Sequence, residues 1–300
     1  MKQPFIHLHT HSTYSIQDAI GYPLDILKKA EELGFRSIAI TDHGNMNAVA
    51  NLYLNSKDMK IKPIYGCEFY MVPNLEKWKV KKTEVDEKIK LMKKKSEEKI
   101  TRKDLKVFQD ELRKRYHIVL LAKNKTGIKN LYELCYQSNF EGNFYYRPRI
   151  DINLIEKYHE GLICTSACLA GYLNQRLEKE KVINRFKDIF GDDLYFEIMM
   201  NEMPEQKEAD TAIIKASEKY KIPIIYTGDV HYIDKEDYIA RDALQMLRLK
   251  QVISSKLKDK EINCEQMFLR DYNDVLKAYN EFGYCKVFSQ KQLEMIADFY

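Results

Sequence analysis

Short apolar runs recur along the chain, separated by stretches in which apolar residues return every three or four positions. The runs are Phe5–Leu8, Ser37–Ile40, Pro63–Tyr65, Ile118–Ala122, Leu162–Cys164, Leu194–Ile198 and Ile222–Tyr226. Continuous apolar runs of this length predict strands covered on both faces. The segments between them, such as Pro23–Leu33 and Glu205–Lys219, carry the helical period. Repeated strand–helix units predict an α/β fold, a parallel sheet with helices outside. Seven units predict closure into a distorted (β/α)7 barrel, similar to the eightfold α/β barrel. An open doubly wound sheet is the alternative, but no Gly-rich phosphate fingerprint follows the first run.

Two stretches break the rhythm. Between Lys77 and Arg115, Val85, Ile89 and Met92 recur at helical spacing, Thr101 and Asp104 form a helix-start signal, and Leu105, Phe108 and Leu112 continue one face. This predicts a helical hairpin, residues 77–115, protruding from the barrel. After about Ile239 the alternation stops: Ala240–Leu249, Asn273–Tyr279 and Gln290–Tyr300 have helical character and Ser254–Asn263 is polar. The expected organisation is a barrel over residues 1–250 and a helical C-terminal extension over 251–300.

Composition narrows the class. Of 300 residues, 45% are hydrophobic, enough for a sizeable core, and 31% are charged. No apolar run approaches the roughly 20 residues of a membrane span, and the first residues, MKQPFIHLHT, have no signal-peptide core. The expectation is a cytoplasmic protein with no membrane partner, whose six cysteines are thiols. Charge is unevenly placed. The stretch from Lys77 to Arg115 holds 16 Lys/Arg against 8 Asp/Glu, a net of +8; since the whole chain carries +4, the remainder carries −4. The basic stretch reads either as a phosphate-backbone contact or as a solvated, lysine-rich insertion.

Candidate chemistry gathers at the ends of the runs. The first run leads into FIHLHTHSTYSIQD, where His7, His9 and His11 alternate. In an extended strand alternate side chains share a face, so such imidazoles can reach one ion. Asp18 follows in the loop. The second run supplies Asp42 and His43, the third Glu68, the fifth Cys168, the seventh Asp229 and His231. His117 precedes the fourth run instead of following it, so its placement is less secure. Bland readings stand beside these: His7 bracing its neighbours, Asp42 capping a helix or orienting His43, Asp18 as a loop residue, Cys168 buried and inert, His159 on the surface and Cys164 in the core.

Functional groups of a parallel barrel collect just past the C-terminal strand ends. Imidazole mixed with carboxylate suits Zn²⁺, Mn²⁺ or Fe²⁺ better than Mg²⁺ or Ca²⁺, and a thiolate tilts one position toward zinc. So many donors exceed one ion's needs, and Glu68 could bridge two. A pair of ions suits phosphoester hydrolysis, with no protein nucleophile required.

The motifs HLHTHSTYS, ITDHGN, YGCEFY and GDVHY resemble those of the PHP (polymerase and histidinol phosphatase) domain. Flanking stretches, among them GIKNLYELCYQSN, FYYRPRID, GLICTSACLAGYL and IPIIYTGDVHYIDKEDYIARDALQML, are similar to the PHP domain of bacterial DNA polymerase III alpha subunits of the DnaE type. The resemblance covers about residues 1–250, and QMFLRDYNDVL resembles the lead-in to the polymerase body. It implies a trinuclear centre of divalent ions held by His9, His11, Asp18, His43, Glu68, His117, Cys168, Asp229 and His231. Of these, His9, His11, Glu68, Asp229 and His231 would be the catalytic set. The implied reaction is metal-dependent 3′–5′ exonuclease cleavage of a single-stranded DNA 3′ end, in the company of other polymerase parts and replisome proteins. No paired-aspartate motif for nucleotide addition is present. The alternatives are a small-molecule phosphoesterase of the histidinol-phosphatase kind and a non-catalytic replisome scaffold.

Overall fold

A computed structural model of the chain describes residues 5–95, 102–140, 142–249 and 265–297. Six of the seven apolar runs are strands: β1 (Ser37–Ile40), β2 (Lys62–Met71), β3 (Tyr116–Ala122), β4 (Leu162–Thr165), β5 (Leu194–Ile198) and β6 (Ile224–Tyr226). They lie side by side in chain order as one curled sheet. The helices are α1 (Pro23–Glu32), α2 (Val49–Asn55), α3 (Leu75–Lys95), α4 (Arg102–Arg113), α5 (Lys125–Ser138), α6 (Ile152–Tyr158), α7 (Glu180–Phe190), α8 (Pro204–Tyr220), α9 (Tyr238–Leu249), α10 (Tyr272–Glu281) and α11 (Gln290–Ala297).

The first run, Phe5–Leu8, is not a regular strand, yet it occupies a strand's place. His7 O accepts from Ala39 N at 2.9 Å and Thr10 O from Thr41 N at 2.8 Å on one side. On the other, His11 N donates to Val230 O at 2.7 Å and Val230 N to His9 O at 3.1 Å. The segment thus bridges β1 and the chain that follows β6, and the six-stranded sheet becomes a distorted barrel. The bend at Leu8–His9 explains the irregularity. It lets His9 leave the outward phase set by Phe5 and His7.

The sheet is not wholly parallel. β3 runs antiparallel to both β2 and β4, while the other pairings are parallel. The connections explain why. One helix joins β1 to β2, β4 to β5 and β5 to β6, which carries the chain back to start the next strand in the same sense. Two helices, α3 and α4, join β2 to β3, and two more, α5 and α6, join β3 to β4. An out-and-back helical pair returns the chain to the end of the sheet it left, so the next strand runs the other way.

Strand residues alternate between two apolar layers. Outward-facing Ile38, Ile40, Cys67, Phe69, Ile118, Leu120, Phe196 and Ile198 pack under the helices in the main core. Inward-facing Leu8, Ala39, Val119, Leu121, Ala167 and Ile225 fill the barrel. Gly66 marks where β2 passes from β1 to β3: a Cβ there would lie 2.6 Å from Leu121 Cδ2 and 2.9 Å from Leu120 O. Only a residue without a side chain permits that approach.

The basic insertion is two helices, as the spacing predicts. Trp78 and Val85 of α3 and Leu112 of α4 are buried, and Trp78 Nε1 donates to Leu112 O at 3.2 Å. The Thr101 start signal lies outside the described residues, as does the polar stretch Ser254–Asn263. From Glu265 the tail returns along the barrel. His231 N donates to Met267 O at 2.8 Å and Leu269 N to Ile233 O at 3.1 Å. Leu269, Val275, Tyr279, Tyr284, Phe288 and Leu293 belong to the same core as the strands. Arg270 is fully buried and donates to Met199 O at 2.8 Å and Met200 O at 3.0 Å. Among the described residues no helix is long and apolar enough to cross a membrane, and the five described cysteines are free thiols.

Candidate metal centre

One end of the barrel collects the C-terminal ends of the parallel strands and, because β3 is reversed, the N-terminal end of β3. His117 therefore sits among residues that follow their strands. The antiparallel direction removes the objection that its position raised.

Glu68 is the hub. It is fully buried on the inward face of β2. Its Oε1 lies 3.4 Å from His9 Nε2, 2.8 Å from His117 Nδ1 and 3.9 Å from Cys168 Sγ. Its Oε2 lies 3.5 Å from His11 Nε2 and 2.5 Å from His43 Nδ1. Asp229 Oδ1 is 3.3 Å from both His9 Nε2 and His11 Nε2. Asp18 Oδ2 is 3.0 Å from His43 Nε2 and 3.7 Å from His231 Nε2. All nine residues named from the resemblance thus meet in one contiguous cluster. Three triads within it, His11/His43/His231, His9/His11/Asp229 and His43/Glu68/His117, each bring their donor atoms within 4.8 Å of one another.

A layer of hydrogen bonds aims these donors. His9 Nδ1 is 3.0 Å from Glu197 Oε2, and Glu197 is held by the Thr165 and Thr227 hydroxyls and by Ala167 N. His11 Nδ1 is 2.8 Å from Ser15 Oγ, which donates to Asp42 Oδ1 at 2.8 Å and accepts from His43 N at 3.1 Å. Asp42 also accepts from Ser12 N and Ser12 Oγ, both at 2.7 Å. Asp42 therefore neither caps a helix nor joins the cluster; it orients His11 through Ser15. His231 Nδ1 donates to Asp229 O at 2.7 Å, and Arg241 Nε donates to Asp18 O at 3.1 Å. Such carboxylate and carbonyl partners fix the tautomer and raise the basicity of a ligating imidazole.

His7 does not brace its neighbours. Beyond the Leu8–His9 bend its ring packs against Phe5, Phe35 and Tyr226, and Nε2 donates to Arg270 O at 2.9 Å. It also fills the space beside Gly228, where a Cβ would come within 2.7 Å of its ring. Burial pushes its pKa down to about 3, so it stays neutral. His159 sits half-buried at the end of α6, away from the cluster, and Cys164 is core. Glu197, Ser15 and Arg241 escaped the sequence reading. Glu197 was the accessible one: a lone acid inside the apolar run LYFEI falls at an inward position.

The electrostatics are those of a cation site. Burial opposes ionisation of Glu68, but His117, His43 and His9 hold its carboxyl well below the usual range. Burial also works against charge on His9, yet Asp229, Glu197 and Glu68 together push it up. His11 is driven down to about 3 by burial and by His43 and His231. Burial and the charges of Glu68 and Asp229 push the Cys168 thiol up. His43 Nδ1, Glu68 Oε2 and Asp229 Oδ1 are buried without any hydrogen bond, although each faces other donor atoms. Imidazole nitrogens, carboxylate oxygens and a thiol sulfur converging on one another fit divalent ions, whose charge would also favour the thiolate. The cluster opens into a cavity of about 580 Å³ whose wall includes Arg115, Arg241 and Arg248.

This barrel, with its histidine–carboxylate cluster, belongs to the PHP domain family, whose match covers residues 7–201. Curated relatives are DNA polymerase III alpha subunits. That of Aquifex aeolicus is 38% identical over 259 residues, 84% of this chain and 20% of the relative. That of Borreliella burgdorferi is 35% identical over 285 residues, 92% of this chain and 22% of the relative. The chain thus spans about a fifth of these relatives. Among solved structures, an amidohydrolase from Chromobacterium violaceum superposes with a TM-score of 0.45 at 12% identity, covering 75% of this chain and 87% of the other. A candidate metal-dependent phosphoesterase from Bifidobacterium adolescentis gives 0.40 at 16% identity, covering 76% and 88%.

Proposed function

We propose that the chain is the hydrolytic PHP part of a DNA polymerase III alpha-like protein and cleaves DNA phosphodiesters from a 3′ end. The observation that carries this reading is the convergence of nine metal-competent side chains, Glu68 among them, in one contiguous cluster, without a loss at any position. Relatives named as DNA polymerase III alpha subunits support a DNA substrate.

In this reading the nine side chains His9, His11, Asp18, His43, Glu68, His117, Cys168, Asp229 and His231 would together hold three divalent ions (Zn²⁺, Mn²⁺ or Fe²⁺). Bound there, they would lower the pKa of an attacking water toward about 7 and stabilise the charge of the departing oxygen. The chain's own residues do the rest. Glu68 and Asp229 compensate cationic charge at the floor of the cavity. Glu197 and Ser15 hold His9 and His11 in their orientations, which keeps the donors organised before substrate arrives. Arg115, Arg241 and Arg248 give the cavity wall positive charge suited to a phosphate chain.

Incubation with Mn²⁺ and single-stranded DNA labelled at its 3′ end tests this. The expected result is release of labelled mononucleotide, abolished in Asp229→Asn and by a 3′-terminal block. Turnover confined to small phosphate monoesters would place the chain with phosphatases. Failure to bind metal would leave a protein-docking module.

A further inference from the structure

Two sequence segments alternate basic and aromatic residues: RKRYH, residues 113–117, at the end of the hairpin, and FYYRPR, residues 144–149. The fold lays them side by side at the mouth of the metal cavity. Arg149 of the second segment donates to Leu112 O at 3.0 Å, just ahead of the first. Tyr70 lies beneath both. Its ring stacks on His43 at 5.6 Å and meets His117 edge-on at 5.3 Å. Above it sit the guanidinium groups of Arg115, at 4.9 Å from the ring centroid, and Arg147, at 5.8 Å.

Among the described residues neither Arg115 nor Arg147 has an acidic side chain within ion-pair distance, and Arg115 Nε is buried without a hydrogen bond. Arg115 lines the cavity beside His117. Their neighbourhood is positive enough that the buried Arg149 is pushed down to about 10, by burial first and by Arg115 second. Next along the surface, Arg113 lies 5.0 Å over the ring of Tyr146. Tyr146 is 64% exposed and holds a left-handed backbone, φ +58°. A large aromatic residue in that conformation is strained, and its ring stands open to solvent.

We propose that Arg115, Arg147 and Tyr146 form the path along which a single strand of nucleic acid leaves the metal centre, the arginines each holding a phosphate upstream of the scissile one and Tyr146 stacking an adjacent base. The inference rests on the phosphodiester reading above. Its elements are those of sequence-tolerant single-strand binding: cations that follow the backbone and an aromatic face for a base. Guanidinium groups resting on a tyrosine are oriented in advance, and an upstream phosphate supplies a counter-charge to each. A lone phosphomonoester has no group to reach them, so the path distinguishes a strand from a small phosphate ester.

Binding measured apart from turnover tests this. The full chain in EDTA would be titrated with a fluorescein-labelled oligothymidylate of about 12 nucleotides, followed by anisotropy at several salt concentrations. The Arg115→Gln/Arg147→Gln double variant should bind more weakly, with the slope of log affinity against log salt reduced by about 1.4, roughly 0.7 for each lost phosphate contact. Tyr146→Ala should weaken binding about tenfold at unchanged slope. Hydrolysis of bis(p-nitrophenyl) phosphate with Mn²⁺ should keep its wild-type kcat/KM in Tyr146→Ala and in Arg147→Gln. Should the double variant fail to fold, Arg147→Gln alone carries the slope test, with a reduction of about 0.7 expected. An unchanged slope would overturn the path. Wild-type hydrolysis of the small diester without oligonucleotide binding would sink the path and leave the hydrolase reading standing. Binding through these arginines with no hydrolysis of any diester would do the reverse.

Discussion

At the scale of single residues the cluster is organised from behind as much as from in front. Glu197 never faces the cavity, yet it takes hydrogen bonds from two threonines and a backbone amide and presents Oε2 to His9. Replacing it with Gln would keep the volume and lose the charge. Metal affinity, read by competition with a chelator, should fall about 10- to 100-fold with the melting profile of the metal-free protein little changed. An unchanged affinity would reduce Glu197 to a packing residue. Glu68→Gln is a sharper test because one carboxylate touches four imidazoles. It should lose more than one metal equivalent per chain by elemental analysis, whereas His117→Ala should lose one. Residue identity was the most legible level. The imidazoles and acids stood out because chemistry demands those types. Glu197 carries no motif; its one signal is that it is an acid at an inward position of an apolar run, where burial demands a partner. His7 misled because alternation assumes a straight strand and the chain bends at Leu8–His9.

Elements show where local pattern stops informing. The apolar runs placed five strands to within two residues and the start of β2, which continues six residues past its run to Met71, but an apolar run has no direction, so nothing within Ile118–Ala122 revealed that β3 is reversed. Counting the helices on either side would have revealed it. The hairpin α3–α4 is pinned where Trp78 meets Leu112 O and Arg149, whose guanidinium lies 4.6 Å over the indole. Trp78→Ala should cost about 3–5 kcal/mol in urea unfolding. A loss below about 1 kcal/mol would mean that the hairpin base tolerates the cavity. The contact between α8 and the tail predicts a pH effect. Asp210 is buried and accepts from Tyr284 Oη at 2.9 Å and Gln206 Nε2 at 2.8 Å. Burial pushes its pKa up from 3.8 to about 6. Between those values the folded protein holds the proton more tightly than the unfolded chain, so this group's contribution to stability falls as pH rises. Against Asp210→Asn, both in EDTA, wild type should lose roughly 2 kcal/mol of relative stability from pH 4 to pH 7. A difference independent of pH would show that the carboxyl ionises freely.

For the whole molecule, residues 265–297 pack into the barrel's own core, past the point where the strand–helix alternation stops. Arg270 makes one of the links: its side chain ties Met199 and Met200, its carbonyl holds His7, and His7 packs on the turn before Asp229. No periodicity announces a contact between residues 263 positions apart. The whole-chain claim is that donors from residue 9 to residue 231 share one polynuclear centre. The most direct test is elemental analysis of the purified chain after saturation with Mn²⁺ or Zn²⁺ and removal of unbound ion. The account predicts a metal-to-chain ratio near three. A folded protein retaining one ion or none would contradict it.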